Sequence, residues 1–413
     1  MLVNVEKETK LFGQSIRQNI RVTFNYEVHF THNIFNLKNP TLAQAIAADD
    51  EKKPKKIVAL VDAGLLEFCP DLLSQLTNYT KFYAEVLTLA VEPMLIPGGE
   101  AAKNEPKLLE QIHQLIEAAG LCRHSYLLGI GGGAVLDLVG YAAATAHRGI
   151  RLIRIPTTVL AQNDSGIGVK NGINAFGKKN FLGTFAPPYA VINDLDFLTT
   201  LCDRDWRSGI AEAVKVALIK DAHFFDFIHD HTTALAHRDM DSMQQLIYRC
   251  AQLHLEHIAK AGDPFEMGSS RPLDFGHWAA HKLEQLTDYR LRHGEAVAIG
   301  IALDSTYSYL LGILSHREWQ RILKTLAELG FTLYVPELAQ QSSHIENSHC
   351  LFRGLTEFQE HLGGELTLTL LQKIGKGIEI HEVDLSFYKQ AISLLHEFEK
   401  RKQTLVTTNR GER

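Results

Sequence analysis

Three histidines, His277, His281 and His293, fall within residues 272–295 among small and apolar neighbours. His277 and His281 stand one helical turn apart, so a helix turns both rings to the same side. His293 follows a polar turn and precedes Gly294, Glu295 and a long apolar run, 296–303. Two neutral imidazoles from separate segments and one carboxylate make an open divalent-metal site, with coordination positions left for substrate oxygens. The alternative is a set of ordinary core or surface histidines. The chain has 20 of them, and this His-x-x-x-His lacks the glutamate of the zinc-protease motif. Spacing alone leaves both readings open.

Positioning such a site takes more than one ordinary core, and at 413 residues two domains are expected. The composition, 45% hydrophobic and 22% charged with a net charge of −6, suits a soluble enzyme. A weakly acidic chain without a basic block argues against nucleic acid as the main partner. No apolar stretch reaches the roughly 20 residues of a membrane span, and the N-terminus lacks a signal peptide's apolar core, so a cytoplasmic protein is expected. Cys69, Cys122, Cys202, Cys250 and Cys350 are scattered, without a Cys-x-x-Cys pair. They predict reduced thiols and not a disulfide frame or zinc knuckle.

The first half reads as strands and turns. Alternation over 20–30 predicts a half-buried strand. Residues 57–62, a β-branched run ending in Asp62, look like a buried parallel strand with a carboxylate at the edge where open α/β sheets bind ligands. There Asp62 either takes hydrogen bonds from ribose hydroxyls or begins the next turn. A strand over 82–96 leads to Pro97-Gly-Gly-Glu100, Lys103 and an amphipathic helix, 105–119. In the next strand and turn, 125–137, Gly129, Gly131 and Ala134 fit the loose G-x-G-x-x-A pattern, in which absent side chains let backbone amides approach a pyrophosphate. The acid expected about twenty residues onward is missing; Arg148, Arg151 and Arg154 lie there instead. A fourth strand, 151–155, ends in Pro156-Thr-Thr158. Residues 163–180 hold Lys170, Lys178, Lys179, Asn171, Asn174, Asn180 and four glycines, which suits either a sugar phosphate site or a solvated loop.

After a last strand at 190–194, helical periods take over. Glu212 and Lys215 share one face of an apolar helix, 206–219, either as a surface ion pair or as buried charges in need of partners. Further helices are expected at 242–261, over the histidines, at 296–311 and at 317–329, with a disordered charged tail at 398–413.

Together these motifs resemble, in order, those of the sugar phosphate cyclases, the superfamily typified by 3-dehydroquinate synthase. The resemblance spans about 58–384. It rests on Gly131-Gly-Gly with Asp137, Pro156-Thr-Thr, 164–170, Gly177-Lys-Lys-Asn180, Gly209-Ile-Ala-Glu-Ala-Val-Lys215, Gly276-His277 and His293-Gly-Glu-Ala-Val-Ala-Ile-Gly300. It implies an α/β fold with an N-terminal Rossmann-like NAD-binding domain over 1–196 and a mostly α-helical metal and substrate domain over 197–397. One divalent ion per subunit, zinc or cobalt, is expected on Glu212, His277 and His293. NAD is expected at Asp62, Glu100, Lys103, Gly132, Gly133, Asp137, Thr157, Thr158, Lys170 and Lys179, with Phe197 to Thr200 closing over it. Asp164, Lys170, Asn180, Lys215 and His281 are expected at the substrate. Arg148 matches an arginine that reaches the phosphate of the neighbouring subunit's substrate, which implies a homodimer.

The motifs depart from 3-dehydroquinate synthase where that enzyme meets a carboxylate. Arg271-Pro-Leu-Asp274 carries Asp for Asn, with one residue fewer before His277; 357–364 replaces a lysine-rich segment; His254 lines up with a further family lysine. A substrate carboxylate would be poorly compensated at these positions. The variant stretches 163–174, 262–266, 271–277 and 360–364 look like those of the 2-epi-5-epi-valiolone synthases, which cyclise sedoheptulose 7-phosphate. Asp274 is then expected to recognise hydroxyls. The implied reaction has no net redox: transient oxidation by NAD, β-elimination of phosphate, re-reduction and intramolecular aldol closure. The alternatives are a 2-epi-valiolone or desmethyl-4-deoxygadusol synthase, 3-dehydroquinate synthase itself, and a metal-dependent polyol dehydrogenase.

Overall fold

The computed structural model describes residue 15 and residues 17–48, 53–260, 262–265, 267–268, 270–340 and 347–411. Residues 49–52 of the polar stretch before the second strand, Glu266 of the 262–266 motif and residues 412–413 of the tail lie outside them.

Seven parallel strands form the N-terminal sheet: β1 (Glu27–Thr31), β2 (Lys55–Asp62), β3 (Leu87–Leu89), β4 (Met94–Ile96), β5 (Tyr126–Gly131), β6 (Arg151–Pro156) and β9 (Ala190–Asp194), in the order β1-β9-β6-β5-β2-β3 with β4 also on β2. The central strands are buried on both faces, as their unbroken apolar runs require. Two apolar layers flank them. One includes Ile57, Val61 and Leu128, the other Val58, Leu60 and Leu127. Helices α1 (Thr41–Ala47), α2 (Leu72–Phe82), α3 (Ala101–Asn104), α4 (Pro106–Ala118) and α5 (Gly133–Thr145) belong to this half. The chain leaves β2 toward β3 and β4, then returns to the other side of β2 as β5, so the strand order reverses between β2 and β5. At such a reversal the loops diverge and leave a crevice at the carboxyl ends of the strands. Asp62 and Gly132 stand at that edge.

The second half is mostly helical: α6 (Asp203–Lys220), α7 (Ala222–Asp230), α8 (Thr232–Ala236), α9 (Met240–Lys260), α10 (His277–Leu286), α11 (His293–Leu310), α12 (His316–Glu328), α13 (Arg353–His361) and α14 (Leu385–Gly411), with a hairpin of β10 (Leu368–Lys373) and β11 (Lys376–Ile380). α6 and α11 are buried almost all round, so polar side chains they carry point into protein and not into water. Two glycines let α10 start against α11. Gly276 has φ +78°, and a Cβ on Gly300 would lie 2.0 Å from the Gly276 carbonyl oxygen. No helix among the described residues is long and apolar enough to cross a membrane.

Several expected elements differ. The strand expected over 20–30 is confined to Glu27–Thr31; Ile20, Val22 and Phe24 stay exposed, so their alternation has no buried face within one chain. The strand expected over 82–96 gives way to the end of α2 and two short strands, because Leu72, Leu76 and Tyr79 extend a buried helical stripe. Residues 163–180 are a structured π turn (Ala161–Ser165) followed by an antiparallel hairpin, β7 (Lys170–Ala175) and β8 (Lys178–Phe185). The tail expected to be disordered continues α14 through Gly411. It is tied down where Glu399 accepts the Leu333 N–H at 3.1 Å and Lys402 donates to the Phe331 carbonyl at 2.9 Å.

Candidate active site

Glu212 comes from the middle of α6, and His277 and His293 are the first residues of α10 and α11. One glutamate oxygen, Oε1, lies 3.4 Å from His277 Nε2 and 3.2 Å from His293 Nε2. The ligand atoms of all three residues fall within 4.8 Å of one another. Glu212 is fully buried, and neither of its oxygens has a hydrogen-bond partner of good geometry. Lys215, three residues on, sets its ammonium 2.5 Å from Oε2. Burial by itself would raise the glutamate's pKa; Lys215 and His277 more than reverse that and hold it well below the usual range. An ionised carboxylate with Oε1 facing two imidazole nitrogens is a donor set suited to a divalent cation.

The ring nitrogens away from this centre are spoken for. His277 Nδ1 is 3.2 Å from the Phe275 carbonyl, and His293 Nδ1 is 3.1 Å from Glu284 Oε2. Such partners fix the tautomer that leaves Nε2 free for metal. Burial works against a charged His293, yet Glu284 and Glu212 raise its pKa to about 9, so metal binding there releases a proton. Glu284 also accepts from Lys179 Nζ at 2.8 Å through Oε1. His281, Glu284 and His293 form a second compact group. Glu284 spends both oxygens on His293 and Lys179, whereas Glu212 keeps Oε1 turned to the two imidazole nitrogens, so the Glu212 group is the better cation site. Glu284 escaped the sequence-based expectations; its signal was its position three residues after His281 and seven after His277, on the same face of α10. His281 packs edge-on to His277 with ring centroids 5.4 Å apart. Burial, then His277 and Lys179, hold its pKa well below the ordinary histidine value.

The other expected residues divide into three groups. At the sheet edge, Gly132 caps α5, and a Cβ on Gly133 would meet Ser165 Oγ at 2.5 Å. Asp62 accepts the Gly64 N–H at 2.9 Å, so it does begin the turn, and its carboxylate lies so close to Gly98 that a Cβ there would sit 2.6 Å away. The Thr157 N–H reaches the Gly131 carbonyl at 3.0 Å, and Thr158 Oγ1 accepts the Ala161 N–H at 3.1 Å. Between edge and hairpin, Lys103 bonds Asp137 at 2.7 Å and also Asn180, while Glu100 accepts from Asn174 at 2.7 Å. Beside the metal group, Asp164 pairs with His254 at 2.8 Å, and Asp274 feels Lys170, His277, Lys215 and Arg271.

Three residues stand apart. Phe197 is buried in a core layer of the sheet with Ile34 and Leu42, and Thr200 Oγ1 bonds the Phe197 carbonyl. Arg148 is exposed beyond the far end of α5, about 20 Å along that helix from Gly133. Arg154, one of the cations found where a ribose acid was expected, is fully buried. It binds the carbonyls of Gly166, Gly168 and Lys170 at 2.8–3.0 Å, fastening the turn to β7.

A family model for the N-terminal part of 3-dehydroquinate synthase matches residues 93–208, and one for its C-terminal part matches 209–347. The 2-epi-5-epi-valiolone synthase of Streptomyces glaucescens is 32% identical over 365 residues, 87% of each chain. The chain belongs to the 3-dehydroquinate synthase-like sugar phosphate cyclases. This cyclase is also 36% identical to the 3-dehydroquinate synthase of Dictyoglomus thermophilum over 302 residues, 73% of this chain and 81% of that one. Its fold matches the 2-epi-5-epi-valiolone synthase of Streptomyces hygroscopicus subsp. jinggangensis, solved with NAD+ and Zn2+ bound, at 29% identity and a TM-score of 0.79, covering 92% of this chain and 99% of that one. A 2-deoxy-scyllo-inosose synthase solved with NAD+ and Co2+ shares the fold at 21% identity and a TM-score of 0.71, over 88% and 95% of the two chains. The stretch 357–364, which replaces a lysine-rich segment of 3-dehydroquinate synthase, begins within α13. Here α13 lies on the side of α10 where Glu357 pairs with buried Lys282 at 2.7 Å, so this acid has a partner of its own.

Proposed function

We propose that this chain is a C7 sugar phosphate cyclase, converting sedoheptulose 7-phosphate to 2-epi-5-epi-valiolone and phosphate as a cytoplasmic homodimer with NAD and one zinc or cobalt ion per subunit. The observation that carries the substrate assignment is Asp274. Burial would raise its pKa, but Lys170, His277, Lys215 and Arg271 hold it below the usual carboxylate value. The cations of the pocket therefore already face an acid of the chain itself. A substrate carboxylate would meet that negative charge, whereas the hydroxyls of a ketose can donate to it.

Glu212, His277 and His293 would hold the ion, and the crevice between β2 and β5 the nucleotide; bound there, the two supply Lewis-acid stabilisation of substrate oxygens and a reversible hydride exchange. Lys215, its pKa raised by Glu212 and Asp164 against the effect of burial, stays an ammonium and donates to a substrate oxygen beside the carboxylate. His281 stays uncharged and offers one N–H donor and one acceptor at the cleft. Asp164, braced by His254, and Asp274 orient hydroxyls. Arg148 lies too far along α5 to serve its own subunit's crevice and fits the role of contributing to the partner's phosphate site.

The test is incubation of metal-loaded protein and NAD with sedoheptulose 7-phosphate or, in parallel, the heptulosonate phosphate used by 3-dehydroquinate synthase, following released phosphate, NADH absorbance and product by NMR. Release from the first alone, without lasting NADH, is expected. The identity to curated 3-dehydroquinate synthases favours a second reading, and release from the heptulosonate alone would establish it.

A further inference from the structure

α11 carries three features along the stripe that faces α10: His293 at its start, Gly300 two turns on, and Asp304 one turn further. Asp304 is an acid sealed inside the protein, 1% exposed, and no ion pair reaches it among the described residues. Its oxygens accept three hydrogen bonds. Oδ2 takes the Gly276 N–H at 3.1 Å; Oδ1 takes the Trp278 indole N–H at 3.0 Å and the Tyr388 hydroxyl at 2.9 Å. Burying a carboxyl without a cation is costly, and the reaction makes no use of this one. Two of its three partners flank His277.

We propose that Asp304 is a positioning residue for the metal centre: by holding the Gly276 N–H it fixes the start of α10, and with it His277, at one height along the helix that presents His293. The apolar contacts between α10 and α11 are non-directional and tolerate sliding. A hydrogen bond from a side chain to the N-cap residue does not. Sliding would change the separation of the two ligand rings, whose centroids lie 5.6 Å apart. Tyr388 extends the same anchor to α14.

This rests on Glu212, His277 and His293 holding a divalent ion, so the experiment begins with Co2+ titration of the full wild-type chain, read by visible absorption. Absence of stoichiometric binding there overturns the metal-site reading itself. Asp304→Asn preserves volume but has one acceptor oxygen for donors on two sides, so an amide N–H must face another donor. Its Co2+ dissociation constant is expected to rise about 10- to 100-fold, with a changed absorption envelope and, in metal-free protein, unchanged NAD binding. Tyr388→Phe removes a donor from Oδ1 and leaves the Gly276 bond, and is expected to bind Co2+ within about twofold of wild type. Wild-type affinity and spectrum in Asp304→Asn, or an equal loss in Tyr388→Phe, would overturn the proposal. If Asp304→Asn fails to fold, Gly300→Ala forces α10 away from α11 without touching the carboxylate, and wild-type Co2+ affinity in that variant would overturn it.

Discussion

Replacing Glu284 by Gln tests how the metal group is held. The carboxylate is 4% exposed and uses one oxygen for each partner, Lys179 Nζ at 2.8 Å and His293 Nδ1 at 3.1 Å. Burial would raise its pKa, but His293 and Lys179 keep it far below the usual range, so it acts as an anion throughout the working pH range. A glutamine has a single oxygen. Turned toward His293, it points its NH2 at the Lys179 ammonium. Turned toward Lys179, it presents an N–H donor to His293, which must then accept at Nδ1 and carry its proton on Nε2. That nitrogen is the one 3.2 Å from Glu212 Oε1, where the ion would bind. Either arrangement weakens the ligand, and loss of a carboxylate behind a metal-bound histidine costs about 10- to 100-fold in affinity. That is about 1.4–2.7 kcal/mol. Competition of Zn2+ between the protein and a chromophoric chelator, at fixed pH with and without NAD, measures it directly. Zn2+ affinity within about twofold of wild type would refute the reasoning, because the tautomer would then be set by something other than Glu284.

Glu212→Ala is expected to abolish metal binding and turnover while NAD affinity, measured by calorimetry in metal-free buffer, stays near that of metal-free wild type; turnover by metal-free Glu212→Ala protein would contradict the assignment. Gly209→Ala places a Cβ 2.4 Å from the Leu160 nitrogen. It should destabilise the protein by about 1–3 kcal/mol in urea unfolding, through overpacking of α6. Asp304 has a pKa of about 7 in the folded chain, against about 3.9 for an unperturbed aspartate. The folded state therefore binds more protons between these values, and this group's contribution to stability falls as pH rises from about 4 to about 7. In metal-free protein, unfolding midpoints for Asp304→Asn should lack that component of the decline; identical pH slopes in the two proteins would count against it. Arg148→Ala is expected to raise KM for the phosphorylated substrate with the proposed dimer intact, as checked by sedimentation, and an active, strictly monomeric wild-type enzyme would exclude a contribution in trans.

What could be read from the sequence was whatever local chemistry dictates. A run of glycines between an apolar strand and a helix allows few other structures, and β5, Gly132 and α5 have the expected form. Glu212 and Lys215 three residues apart on an apolar helix posed the choice between surface pair and buried pair; α6, wrapped by core on all sides, answers it in favour of burial. Illegible features were those decided by partners distant in sequence. Residues 20–24 alternate as a strand does, but alternation specifies a strand only when a core covers one face, and here Ile20, Val22 and Phe24 stay exposed. Arg154 has the charge of a phosphate ligand, yet the carbonyls of the 164–170 turn, brought back over β6, claim its guanidinium.

Glu284 is the sharpest case. As one acid on a half-buried helix it looks like solvated charge, and its meaning comes from Lys179, 105 residues earlier, and from the far nitrogen of His293. Through that one side chain the hairpin beside the nucleotide crevice and a metal ligand share a carboxylate. A displacement of Lys179 toward a bound nucleotide would strengthen the hold of Glu284 on His293, because the same anion would then have one cation fewer to serve. Nucleotide and metal should accordingly bind with positive coupling in the wild-type chain, and by reciprocity each should raise the affinity of the other by the same factor. The Zn2+ competition run with and without NAD reads that factor, and Glu284→Gln should bring it close to one.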